Sequence, residues 1–341
     1  MCNNNGACRK LDSGVMCPSY RVTMEEKDLV RGRANTLRLA LSNQLPKGSF
    51  ASKEMFETME LCVSCKACQR ECPMSVDMAK MKSEFLSHYY KKFTMGIKDR
   101  IISDMPRLIW LIKITAPVFN KVKNIPLLDK VIEAFGFSTK REMPEVQNIT
   151  PLKEIYKTQP TFEKKVILLA DTFNINFEVK NIMYAIKVLN KFGFQAIIPS
   201  FDDNNLSRPL CCGRTYISYG QMDKAKFEMN RVTNYLYNNG YAEMPVVGIE
   251  PSCLLTFNDE FKALKGIENR DKLKNKFYLI EEFILEQIKE GNKVNAHAYN
   301  KNVLVHGHCH QKSQDRFQGL LELLKTLEIK HKPIDSSCCG M

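Results

Sequence analysis

Cys62, Cys65, Cys68 and Cys72, in the run CVSCKACQRECP, are the densest concentration of chemistry in this chain. Thiolates at i, i+3 and i+6 can wrap one face of an iron–sulfur cubane, while a fourth cysteine followed by proline is turned toward a different cluster. Zinc sites use paired C-x2-C knuckles rather than three in succession, and cysteines that merely fill a core would not produce this spacing. The cubane still lacks a fourth thiolate, and the crossed two-cluster pattern finds it at Cys17-Pro18. The expected ligands of a [4Fe-4S] cluster are therefore Cys17, Cys62, Cys65 and Cys68.

Cys72 then needs partners of its own. The opening run CNNNGAC offers Cys2 and Cys8, with Asn5 where the middle thiolate of a C-x2-C-x2-C run would stand. Three thiolates can hold a trinuclear [3Fe-4S] cluster. Alternatively, a cubane could take an oxygen, nitrogen or water ligand at the vacant corner, or the three cysteines could hold nothing beside a single cluster. The sequence leaves these readings open.

The elements that must position these residues come in two rhythms. Up to about residue 135 the pattern is helical: Val30, Ala34, Leu37 and Leu41 share one face, as do Met78, Met81, Phe85 and Tyr89 between Asp77 and Phe93. Pro144, Pro151 and Pro160 among charges place a linker at 140–164. From 165 onward short apolar runs (KVILLAD, QAIIPS, PVVGIE, NVLVHGH and a weaker one near 329–334) alternate with helical stretches. That alternation argues for an α/β domain with a parallel sheet. The expected architecture is a helical ferredoxin-like domain over 1–139 and a cysteine-rich α/β domain over 165–341.

The second region repeats itself. CCGR at 211–214 and CCGM at 338–341 each follow a strand-like run, as do Cys253 and Cys309. This suggests two similar βα halves, with Cys211, Cys212, Cys253, Cys309, Cys338 and Cys339 at the carboxyl ends of strands, where ligands collect in such sheets. His306, His308 and His310 alternate around Cys309, and thiolate with imidazole suits zinc or iron. The six cysteines with His308 are thus a candidate metal site. The plainer reading of the histidines is hydrogen bonding to backbone in a tight turn. A Cys-Cys-Gly turn should lead into a helix, yet nothing follows Met341, so the chain reads as a fragment.

Composition narrows the context. Seven of the 13 cysteines precede residue 73 and six follow residue 210, unlike the even spread in a short secreted disulfide protein. The first ten residues are polar, with no secretory signal. The most apolar stretch, LIWLIKITAPVF at 108–119, is too short for a bilayer. A reducing, cytoplasmic compartment is expected, with 101–119 as a packed helix or as a peripheral contact on the inner face of the cell membrane. The formal net charge is +12, but no basic run is interleaved with aromatics, which sets nucleic acid aside. Arg31, Arg33 and Arg38 follow a cluster ligand, where cations raise a cluster's potential or dock an acidic flavoprotein; a solvated helix face is the alternative. No glycine-rich phosphate loop or Ser/His/Asp set occurs, so the chain has no FAD or nicotinamide site of its own.

CNNNGACRK, GVMCPSYRVTMEEKDLVRGRANTLRLAL and CVSCKACQRECPMSVDMAKMKSEFL resemble the ferredoxin-like part of FAD-linked 2-hydroxy-acid dehydrogenases. These include the glycolate oxidase iron–sulfur subunit and the D-lactate and D-2-hydroxyglutarate dehydrogenases. CCGR, GIEPSCLLTFNDEF, LVHGHCHQKS and IDSSCCGM are similar to the CCG domain of that group, which is related to the heterodisulfide reductase B subunit. The resemblance implies an electron-transfer module that takes electrons from FAD in an upstream or partner flavin domain and passes them to a quinone or other acceptor. It departs from the full CCG pattern at Asp171-Thr172 and at Thr256, where cysteines would lie. That weakens the rival reading of a disulfide-reducing CCG subunit. A second rival makes the CCG region a structural zinc module that docks partners.

Overall fold

The computed structural model describes residues 2–12, 14–114, 120, 126–140, 142, 144–202, 206, 208–292 and 301–335, and they form two compact units. The first unit comprises residues 1–94, 217–222 and 295–341, and the second residues 95–216 and 223–294.

In the first unit five helices carry the cysteine-rich loops: α1 Pro18–Thr23, α2 Val30–Leu41, α3 Lys53–Glu60, α4 Ala67–Glu71 and α5 Met78–Lys92. Helix α2 buries Val30, Ala34 and Leu37 on the anticipated face, whereas Leu41, at its last turn, is exposed. Helix α5 starts at Asp77, whose carboxylate accepts the Lys80 N–H at 3.1 Å, a side-chain cap. Its Met78, Phe85 and Tyr89 are buried, and Tyr89 lies between Phe56 and Phe93 at centroid distances of 4.7 Å each. Met55, Met59 and Leu29 complete this core, and Cys8, Cys17, Cys68 and Cys72 are part of it.

The second unit is built on a parallel sheet. Helix α6 (Thr150–Thr158) precedes β1 (Lys164–Leu168), α7 (Val179–Lys191), β2 (Phe194–Ile197), β3 (Val246–Gly248), α8 (Pro251–Asn258), β4 (Phe277–Leu279) and α9 (Ile280–Lys289). Strand order is β2-β1-β3-β4, all parallel, with Val166 opposite Ala196 and Ile167 opposite both Ile197 and Val246. Val166, Ile167, Leu168, Val246 and Val247 are fully buried, as expected of a sheet covered on both faces.

Three features differ from expectation. The proline-bearing stretch 140–164 contains α6, because Pro151 sits in its first turn, where proline costs no hydrogen bond. Strand β4 is new; its FYL core is three residues long and runs straight into a helix, so no alternation marks it. The compact units also divide the chain elsewhere than at the expected linker: of the described residues, 301–335 group with the helical unit and 95–114 and 126–139 with the sheet unit. Among the described residues of 301–335, β5 (Val303–Val305) pairs in parallel with β6 (His331–Pro333), and between them lie α10 (Cys309–Ser313) and α11 (Phe317–Thr326). Much of 108–119 falls outside the described side chains. Among the described residues no helix is long and apolar enough to cross a membrane.

Candidate iron–sulfur site

Cys17, Cys62, Cys65 and Cys68 line one cavity of about 340 Å³, counting solvent at its mouth. Cys17 is the residue before α1, Cys62 and Cys65 lie on the loop after α3, and Cys68 lies in the first turn of α4. The loop turns sharply: Ser64 (φ 54°) and Lys66 (φ 61°) are both in the left-handed region. Such turns aim backbone N–H groups at a common centre and suit anionic groups, iron–sulfur sites among them. Within this turn the Ala67 N–H bonds Cys65, and from the start of α5 the Met78 N–H lies 3.4 Å from Cys68 Sγ.

Electrostatics mark Cys17, Cys65 and Cys68. Burial pushes the Cys17 thiol up to about 11 and the Cys68 thiol up to about 12, and raises Cys65 well above the ordinary thiol value. Repulsion from the neighbouring cysteines adds to each: from Cys62 on Cys17, from Cys62 and Cys17 on Cys68, and from Cys62, Cys68 and Cys17 on Cys65. Buried thiols crowded this way need cationic charge in their midst to ionise. Arg33 and Lys66 stand at the wall, each about 1% exposed or less. Arg33 places Nη1 3.9 Å from Cys17 Sγ while donating to Ser19 Oγ and to the carbonyls of Asp28 and Thr58. Asp28, also buried, faces its Nη2 at 3.5 Å. Lys66 Nζ lies 3.8 Å from Asp77.

This arrangement fits a polynuclear cluster. Among the described residues no three His, Cys, Asp or Glu side chains are arranged to grip a single metal ion.

The sequence pattern did not single out every residue that shapes the site. Glu71 receives the Val15 and Met16 N–H groups at 2.7 and 3.0 Å, which fastens the approach to Cys17 onto α4. Arg33, three residues from Val30 and four from Leu37, shares their buried face of α2, whereas Arg38 is exposed. Arg31 is instead paired with Glu26 and stands beside Cys2 and Cys8.

Cys2 lies close enough to Cys8 for its charge to raise the Cys8 thiol, and Cys8 acts on Cys17 in turn. Cys72 is buried in the same core. Asn5 is at the surface, where its Oδ1 accepts the Ala7 N–H at 2.9 Å.

In the second unit Cys211, Cys212 and Cys253 form a buried row joined by thiol hydrogen bonds, Cys212 in the middle. Hydrogen bonding to Cys212 and burial raise Cys211, whereas Cys253 is carried up to about 11 by burial and by Asp171 and other acidic neighbours, against a hydrogen bond from Cys212. Gly213 (φ 79°) lets the Cys-Cys-Gly turn close: a Cβ there would meet the Ala225 carbonyl oxygen at 2.9 Å. Arg231 holds the turn by donating to the Arg208 and Pro209 carbonyls. Asp171 spends its carboxylate on Phe173 and Asn174, and Thr256 donates to the Ser252 carbonyl. Among the described residues no three His, Cys, Asp or Glu side chains, these thiols included, are placed to hold a single metal ion. His308 and Cys309 belong to the first unit, where His308 Nδ1 accepts the His310 N–H at 3.1 Å and caps α10. Cys338 and Cys339 lie outside the described residues.

Residues 1–76 match the model of a 4Fe-4S dicluster domain, a span that contains all seven N-terminal cysteines. Over 314 residues, 78% of the chain, the sequence is 24% identical to D-2-hydroxyglutarate dehydrogenase of Escherichia coli K12. The chain is similar to the iron–sulfur region of 2-hydroxy-acid dehydrogenases. The enzyme of the same name from Pseudomonas putida is 24% identical over an alignment that takes in 100% of the chain, and that from Haemophilus influenzae is 23% identical over 76% of it. The chain spans 30% of the Escherichia coli protein's length and 37% of the Pseudomonas putida protein's. No solved structure matches it.

Proposed function

We propose that this chain is the electron-transfer part of a FAD-dependent 2-hydroxy-acid dehydrogenase, with a [4Fe-4S] cluster held by Cys17, Cys62, Cys65 and Cys68. The observation that carries this reading is the convergence of those four thiols on one cavity walled by two buried cations. A [4Fe-4S] cluster, when bound, takes up and releases one electron at a time. Arg33 and Lys66 offset the negative charge added on reduction, and the Ala67 and Met78 N–H groups do the same through the sulfurs. Val30, Met78 and Ala79 line the cavity with apolar surface and keep water from it. Glu71 holds Cys17 at the rim.

On this reading the hydroxy acid is oxidised at FAD in a flavin domain or partner subunit, and electrons leave toward a quinone or other acceptor. The names of the relatives point to an acid of the D-2-hydroxyglutarate class. Cys2, Cys8 and Cys72 are proposed as a second, three-thiolate site beside Cys17, either [3Fe-4S] or a cubane with a non-cysteine corner. Residues 165–341 are read as a CCG region of two related halves. No electron step is routed through Cys211, Cys212 and Cys253. The cysteine usage and polar opening residues support a cytoplasmic location, and a quinone acceptor would add peripheral contact at the inner membrane face.

The test is iron and acid-labile sulfide analysis with low-temperature EPR on the anaerobically purified chain. Iron and sulfide in cubane proportion, with a reduced-state signal lost in Cys62→Ser, support the reading. Zinc alone, or neither metal nor sulfide, overturns it.

A further inference from the structure

We infer that the segment His308–Asp315 braces the cluster-binding loop, with His310 and Arg70 as positioning residues; this rests on the cluster reading above. The loop needs a brace. Ser64 and Lys66 are non-glycine residues held in left-handed conformations, each costing about 1–2 kcal/mol and persisting only where the surroundings impose it. The carbonyl of Ser64, between Cys62 and Cys65, meets His310 Nε2 at 3.3 Å. A carbonyl can only accept, so Nε2 carries the proton. His310 is 5% exposed, and its ring is aimed by a reciprocal cap. His308 Nδ1 accepts the His310 N–H at 3.1 Å, and Gln311 Oε1 accepts the His308 N–H at 3.1 Å. The Ser313 hydroxyl closes the turn by donating to the His310 carbonyl at 3.0 Å.

A second clip acts on the other side of the ligand set. Arg70, between Cys68 and Cys72, donates from Nη1 to the Lys312 carbonyl at 3.0 Å and pairs through Nε with Asp315 at 2.8 Å. The segment therefore grips the loop both before Cys65 and after Cys68, through residues 246 and 242 positions away in sequence. None of the bracing side chains is a cluster ligand in this reading. They act by holding the backbone that presents the thiolates, as outer-shell partners do at metal sites.

The experiment compares the full chain with His310→Ala, His310→Gln and Arg70→Ala, following the rate of cluster loss to an iron chelator and the cluster midpoint potential. His310→Ala should lose its cluster about tenfold faster than wild type, with a shifted potential. His310→Gln, whose amide N–H can reach the same carbonyl, should restore both. Arg70 is half-exposed, so Arg70→Ala decides the matter if His310→Ala does not fold, and it too should shed its cluster faster. Wild-type lifetime and potential in His310→Ala, or in Arg70→Ala should that variant have to decide, overturn the brace, as does a His310→Gln no better than alanine. A wild-type chain with no iron–sulfur signal overturns the cluster reading and the brace with it.

Discussion

Arg33 offers the sharpest test of how the fold tunes a cluster bound at this site. Its guanidinium is wholly buried and 3.9 Å from Cys17 Sγ. A unit charge at about 4 Å is worth about 4 kcal/mol at an effective dielectric of about 20. The electron added on reduction spreads over the whole cluster, so the working distance is about twice as long and the interaction about 2 kcal/mol. For a one-electron couple, with about 59 mV for every tenfold change in equilibrium, that is roughly 80 mV. Arg33→Met should lower the midpoint potential by about that amount, since a cation that favoured the reduced state is gone. Asp28, engaged by the other guanidinium nitrogen at 3.5 Å, supplies the control. Asp28→Asn leaves Arg33 uncompensated and should raise the potential, by on the order of half as much. Each variant breaks a buried pair and should cost about 3–5 kcal/mol of stability, so both may be compared at equal cluster content by EPR-monitored redox titration. Opposite signs are the signature of charge. Shifts of the same sign in both variants, or no shift in either, refute the reasoning.

Three further outcomes follow from other parts of the structure. If Cys2, Cys8 and Cys72 hold a second cluster, Cys8→Ser and Cys72→Ser should each lower the iron count while keeping the signal that depends on Cys62; an unchanged count in both excludes that cluster. In the metal-free chain Cys17 and Cys68 hold their protons to about 11 and 12, above the ordinary 9.0 of an unfolded thiol. The unfolded chain therefore releases these protons first, and stability should be flat below pH 9 and fall as pH rises toward 11–12. Thermal unfolding of apo and iron-loaded protein across that window should show the decline only in the apo form. Gly32→Ala would put a Cβ 2.0 Å from the Glu26 carbonyl oxygen, forcing α2 from the turn it packs on. Urea unfolding should record a loss of about 1–3 kcal/mol.

Some of this was open to reading along the chain because it is local. The three-residue spacing of Cys62, Cys65 and Cys68 lies within one loop and one helical turn. The helical periods of α2 and α5 were visible because a helix that buries one face must repeat every three to four residues. Leu41 broke that period for a plain reason: the last turn of α2 runs past the core. The short parallel strands β1, β2 and β3 announced themselves as apolar runs because both faces of their sheet are covered. Strand β4 did not, since three residues carry no period. Helix α6 hid behind Pro151, which opens a helix as readily as it breaks one.

By itself the sequence determined the three-residue spacing of Cys62, Cys65 and Cys68, the helical faces of α2 and α5, the apolar runs of β1, β2 and β3, and the likeness to the iron–sulfur region of 2-hydroxy-acid dehydrogenases. Only the tertiary structure decided that Arg33 and Lys66 are buried at the cavity wall and not solvated on a helix face. It also decided that the turn carrying His308, Cys309 and His310 packs on the Cys62–Cys72 loop instead of extending the β1–β4 sheet. The physical reason is distance along the chain. Periodicity and capping act over a few residues, whereas the contacts of His310 with Ser64 and of Arg70 with Asp315 bridge more than two hundred. They depend on which surfaces remain to be covered once each local element has formed.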